Sequence, residues 1–148
     1  MNFKSRGAMA GDAGLAAALV NLSHQVLHLF TEVGRGYDLT QQQAELLCAV
    51  IVRGRVGMTE LAKVMHMEKS SLSNLVERAE QRGLAVRTRD AGDRRVTWVQ
   101  LTDEGTRLAM QTHSDVTARL DRLVERLSVR DQQRLTEVVE QITTAEPL

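Results

Sequence analysis

Between Met58 and Arg95 the sequence specifies two short helices, a three-residue turn and a basic ribbon, in that order. The pattern predicts a helix from Met58 to Met65, a turn at His66-Met67-Glu68, and a second helix from Lys69 to about Arg82, stopped by Gly83. An arginine-rich ribbon follows, and Asp90-Ala91-Gly92-Asp93 supplies the loop chemistry of its tip. Two helices joined this tightly and followed by a basic hairpin form a winged helix-turn-helix. That unit sets one helix in the DNA major groove and a charged finger beside it. The expected fold is mainly α with a small β-wing, flanked by N- and C-terminal dimerisation helices.

The formal net charge of the 148 residues is zero, which at first sight argues against a nucleic-acid partner. The distribution reverses that impression. From Lys69 to Arg95 seven basic residues face four acidic ones, a local charge of +3; from Thr102 to Leu148 six face nine, a charge of −3. A basic centre is balanced by an acidic C-terminal third, and the local field steers a polyanion more than the sum does. Aromatic residues make up only 3%, so the core must be built from Leu, Val, Ala, Met and Ile, a palette that suits packed helices. With Cys48 as the lone cysteine no intrachain disulfide can form, which suits a reducing cytoplasm. The first fourteen residues lack the apolar core of a signal peptide, and no stretch approaches the roughly 20 apolar residues of a membrane span. A cytoplasmic location with no membrane partner is the expectation.

Periodicity organises the rest. Residues 1–14, rich in Gly and Ala, read as a flexible tail, and 15–148 as a single domain whose DNA-binding part is 34–101. A first helix is expected from Ala13 to Val33, with Leu15, Leu19, Leu22, Val26, Leu29 and Val33 drawing one apolar seam. Thr40-Gln41-Gln42-Gln43 fits a capping box that opens a second, largely apolar helix. In the helix after the turn, Leu72, Leu75, Val76 and Ala79 form a buried stripe at i, i+3, i+4 and i+7. Two strands are expected next, the first with Leu84 and Val86 alternating against Ala85 and Arg87, the second with Thr97, Val99 and Leu101 on one face. Thr102 caps a long helix with Leu108, Val116, Leu120, Leu123 and Leu127 along its apolar side. Ser128 restarts a last helix carrying Leu135, Val138, Val139 and Ile142. The helices of 15–33 and 102–148 thus carry apolar stripes that a small monomer only partly covers, and a two-fold homodimer is the expected solution. The alternative is that the stripes close onto the core of one chain.

Glu60-Leu61-Ala62, the run Met67 to Arg78, Arg82-Gly83-Leu84, Asp93-Arg94-Arg95 and Leu101-Thr102-Asp103-Glu104-Gly105 together resemble the MarR family of bacterial transcription regulators in order and spacing. The resemblance covers roughly Leu15 to Ile142. It implies a triangular homodimer of winged-helix subunits on a palindromic operator in double-stranded DNA, usually a repressor. Such proteins are often released by a small anion, an aromatic compound, an oxidant or a metal. This sequence departs from the family in having Asn74 where many members carry Arg and Ala79 where Leu is usual. It also lacks a cysteine in the first helix, where the oxidation-sensing branch carries a reactive one.

The candidate DNA-reading residues are Lys69, Ser70, Ser71, Ser73 and Asn74 in the N-terminal half of the second helix of the motif, the part that enters the groove. Ser suits phosphates or bases, and Asn pairs with the adenine edge or binds a phosphate. Arg78, further along, is expected on phosphate. In the ribbon, the resemblance sends Arg95 into the minor groove with Asp93 orienting it by a carboxylate–guanidinium pair, while Arg87, Arg89 and Arg94 add phosphate contacts. His24 and His28 stand four apart on one helix face, and the resemblance places an effector near them. With His113 they have the spacing of a metal site but lack supporting carboxylates and thiols, so no metal is expected. Cys48 lies among apolar neighbours, where a thiol behaves as a small hydrophobe. No Gly-rich phosphate loop and no nucleophile–base constellation appears, so neither a cofactor nor an enzyme is expected. The competing class is a protein-binding adaptor, against which the intact basic wing argues.

Overall fold

A computed structural model describes residues 5–144, with side chains described from Gly14 onward. Helix α1 runs Ser5–Gly36, α2 Gln41–Arg53, α3 Met58–Val64, α4 Lys69–Gln81, α5 Asp103–Leu123 and α6 Val129–Thr144. Strands β1 (Val56–Gly57), β2 (Ala85–Arg89) and β3 (Thr97–Leu101) form an antiparallel sheet in the order β1-β3-β2. The backbone of α1 is helical from Ser5, ahead of the expected Ala13, because Ala8, Met9 and Ala10 are good helix formers. The part of the expected tail at 1–4 lies outside the described residues.

Two compact units are distinguished, Met1–Val116 and Thr117–Leu148. In the first, α2 is the central helix, with Ala44, Leu46, Leu47, Cys48 and Val50 buried. Its start is a capping box: the Gln43 amide donates to Thr40 Oγ1 at 3.2 Å, and the Thr40 amide donates to Gln43 Oε1 at 3.0 Å. One face of α2 joins Leu61, Leu72, Leu75, Val76, Ala85 and Val99 in the main cluster. Leu47 and Ala44 join Leu39, Leu84 and Ala109 in a second.

β1 is an element that the sequence reading lacks. Two residues carry no periodicity, and the strand exists because Val56 pairs with Val99 and Gly57 with Trp98. The phase of β2 also differs from expectation: Ala85 is buried while Val86 is 37% exposed. Leu84 is buried from outside the strand, beside the left-handed Gly83 (φ 72°), and Ala85 opposite Leu101 begins the inward alternation. Ala85, Arg87 and Arg89 therefore share the face of Leu101, Val99 and Thr97.

Helix α5 buries Gly105, Ala109, Thr112 and Val116, a narrower face than the expected leucine side, and it ends at Leu123, so Leu127 falls in the turn beyond it. In the second unit the Asp131 amide donates to Ser128 Oγ at 3.1 Å, which starts α6 as expected. No residue of α6 is buried, and Leu135, Val138, Val139 and Ile142 lie exposed on one side of it. The α1 seam is similarly open at Leu15, Leu19 and Leu22.

Candidate nucleic-acid interface

The turn between α3 and α4 is tight because His66 takes a left-handed conformation (φ 50°) and the Met67 amide donates back to the Ala62 carbonyl at 3.0 Å. From there Leu72, Leu75, Val76 and Ala79 anchor α4 in the core. Burying that stripe turns Lys69, Ser70, Ser71, Asn74, Glu77 and Arg78 to solvent, with Ser73 half-buried. Glu68, at the N-cap, makes no side-chain bond to the first turn, and that turn holds no acidic residue. The positive end of the helix dipole is thus open to an anion beside Lys69 and the serines.

The wing is held by two aspartates. The Asp93 carboxylate accepts from Arg95 Nε at 3.1 Å, from Arg95 Nη2 at 3.2 Å and from the Arg95 amide at 3.0 Å. These bonds hold the Asp93 carboxyl below its ordinary pKa. The Arg95 side chain is 91% exposed, so the pair points an oriented guanidinium into solvent. Asp90, which the sequence reading left without a role, accepts from the amides of Gly92 and Asp93, both at 3.0 Å, and from Trp98 Nε1 at 2.9 Å. The spacing Asp-x-Gly-Asp is the signal of an Asx turn and makes Asp90 findable; the indole contact is not local in sequence. Arg55, also absent from that reading, stacks its guanidinium 4.3 Å from the centre of the Trp98 ring.

Arg87 is already engaged. Its Nε donates to Glu80 Oε1 at 2.7 Å and its Nη1 to Ser73 Oγ at 2.9 Å, tying β2 to α4. Arg89 and Arg94 are exposed on the wing. Of the candidates, Lys69, Ser73, Arg87 and Arg95 line one open cleft of about 620 Å³, together with Lys63 and Trp98. Four cations and one carboxylate, Glu60, line this concavity between the helix-turn-helix and the wing, an excess of positive charge suited to a phosphate backbone. His24 and His28 sit away from that cleft on the exposed side of α1, His28 with its Nε2 3.8 Å from Glu32. Among the described residues no group of three or more His, Cys, Asp or Glu is placed to hold a metal, and no helix is long and apolar enough to cross a membrane.

This architecture has close parallels. The sequence model of the MarR family matches residues 37–96, the span from the turn before α2 to the wing. The chain is similar to the HTH-type transcriptional regulator FarR of Neisseria gonorrhoeae, 25% identical over 113 residues that cover 76% of this chain and 77% of FarR. Among solved structures it is similar to NadR in complex with 4-hydroxyphenylacetate, with a TM-score of 0.79 and 23% identity, covering 89% of this chain and 94% of that one. It is similar too to a mutant MarR from E. coli complexed with operator DNA, with a TM-score of 0.77 and 21% identity over 90% of this chain and 96% of the other. The tight helix-turn-helix, the Asp93–Arg95 wing and these matches lead to one conclusion: the chain has a winged helix-turn-helix fold, and its residues 37–96 match the MarR family of transcription regulators.

Proposed function

We propose that this chain is a non-enzymatic, cytoplasmic repressor that binds a palindromic operator as a homodimer and is released by a small-molecule effector. The observation that carries the DNA reading is the cleft itself. Lys69 and Ser73 of α4 and the Asp93-braced Arg95 line it, and the four cations Lys63, Lys69, Arg87 and Arg95 outnumber the carboxylate of Glu60 there. In this reading Ser70, Ser71 and Asn74 meet base edges or phosphates in the major groove, Lys69 and Arg78 hold phosphates, and Arg95 enters the minor groove. Arg89 and Arg94 add phosphate contacts. Arg87 and Ser73 act by fixing the wing against α4, and Asp93 acts by orienting Arg95.

The open apolar faces of α1 and of α6 support the dimer, because Leu15, Leu19, Val139 and Ile142 are each at least 42% exposed in one chain. A second copy covers them in this reading, and replacing Val139 and Ile142 together by Asp should yield a monomer by sedimentation. The likeness to a NadR bound to 4-hydroxyphenylacetate supports an effector, for which His24 and His28 are the proposed contacts.

The test is operator binding by Arg95→Ala on a duplex selected from random DNA. Affinity should fall, and the slope of log K against log salt should shrink by about one per subunit if Arg95 displaces one counterion. Unchanged slope and affinity would remove the wing from the DNA.

A further inference from the structure

We propose that Trp98 is the positioning residue of the wing, acting through Asp90 to hold Arg95 where it meets DNA; this rests on the minor-groove reading of Arg95. Three observations converge on the ring. Its Nε1 donates to Asp90 Oδ1 at 2.9 Å, while the other oxygen of that carboxylate closes the tip by accepting the Gly92 and Asp93 amides. Its face is covered by the Arg55 guanidinium, 4.3 Å from the ring centre, from the segment that leads into β1. Its backbone pairs with Gly57 on one side and Thr88 on the other, so it sits in the central strand of the sheet.

The geometry sets a chain of constraint. β1 and β3 are tied to the core through Val56 and Val99, both buried. Arg55 and the sheet fix the indole, and the indole fixes one oxygen of Asp90. Asp90 fixes the amide of Asp93, and Asp93 in turn grips Arg95 at two guanidinium nitrogens, Nε and Nη2. A two-stranded ribbon is otherwise a lever with a soft tip. Arg55 and Trp98 thus belong to the interface without reading a base. The multiple donors on Asp90 also hold its carboxyl below the ordinary range, with the indole bond the largest contributor, so the brace is charged at neutral pH.

The test is a pair of double-mutant cycles on the selected operator, using the full-length protein. Trp98→Phe keeps an aromatic ring for Arg55 and deletes the N–H donor together with the pyrrole part of the indole. Arg95→Ala should weaken the parent about tenfold and the Trp98→Phe protein less than about twofold, because an unbraced Arg95 has already lost most of its contribution. Asn74→Ala should cost the same factor in both backgrounds, since α4 is anchored independently of the wing. Asp90→Asn leaves one acceptor oxygen where the two carboxylate oxygens served three donors, so it loosens the brace from its other end and should reproduce the Trp98→Phe result; the outcome then does not depend on one variant folding. An equal Arg95→Ala factor in parent and both variants would overturn the positioning role, as would an Asn74 cost that shrinks along with it. An Arg95→Ala change that is silent in the parent would instead overturn the minor-groove reading beneath it.

Discussion

Arg87 and Glu80 form a partly buried ion pair, Nε to Oε1 at 2.7 Å with about 30% of each side chain exposed, and it joins β2 to the recognition helix. The same guanidinium reaches Ser73, about two turns earlier on α4, so one side chain spans both. Arg87→Ala should therefore lower thermal stability by about 1–2 kcal/mol, the range of a charge-assisted bond at partial exposure. It should weaken operator binding with a smaller change in salt slope than Arg95→Ala produces. Matching slopes for the two variants, measured by titration at several salt concentrations, would return Arg87 to the phosphate contacts.

Asn74 is exposed on α4, opposite the stripe that anchors the helix. Its amide offers one donor and one acceptor, the complement of adenine N7 and N6. An adenine is expected at one symmetric position of each half-site. Asn74→Ala should relax that position alone, at about 1–3 kcal/mol per lost bidentate pair. Identical base preferences after selection from a random pool would leave Asn74 as a phosphate contact.

Gly105 lies in the first turns of α5 against the backbone of Leu84, where an added Cβ would stand 1.8 Å from the carbonyl oxygen. Thr102 locks the same junction, its Oγ1 donating to the Gly83 carbonyl at 2.6 Å and accepting the Gly105 amide at 3.0 Å. Nothing flexible can yield to a methyl group there. Gly105→Ala should cost more than about 3 kcal/mol by denaturant unfolding, as overpacking against fixed backbone does at its upper end. A variant as stable as the parent would mean that α5 can slide away from Leu84.

Cys48 is buried on α2, and burial, aided by nearby Glu45, pushes its thiol pKa up to about 11. The reactive thiolate is thus scarce at neutral pH. Alkylation of the native protein should be slow at pH 7, rise toward pH 11, and become fast at pH 7 only in denaturant. Operator binding should survive a mild peroxide treatment in the Cys48→Ala variant and the parent alike. Rapid modification of the native parent at pH 7, followed by mass spectrometry, would contradict this placement.

What the sequence by itself determined is everything written in local periodicity and capping. The stripe of Leu72, Leu75, Val76 and Ala79 dictated which side of α4 faces solvent, and hence that Asn74 and Arg78 are exposed. The Thr40 box, the Ser128 cap and the Asp93–Arg95 pair are likewise contacts within three residues, so spacing alone announces them. Only the tertiary structure decided the rest. β1 exists through pairing with β3, and the phase of β2 is set by Ala85 meeting Leu101, because a strand has no preferred face until a partner fixes its register. That register turned Arg87 toward Glu80 and Ser73, and it brought Arg55, Trp98 and Asp90 together from separate elements. A charged side chain on a ribbon looks the same in sequence whether it awaits a phosphate or already holds a carboxylate, and the difference lies in which distant residue the fold sets across from it.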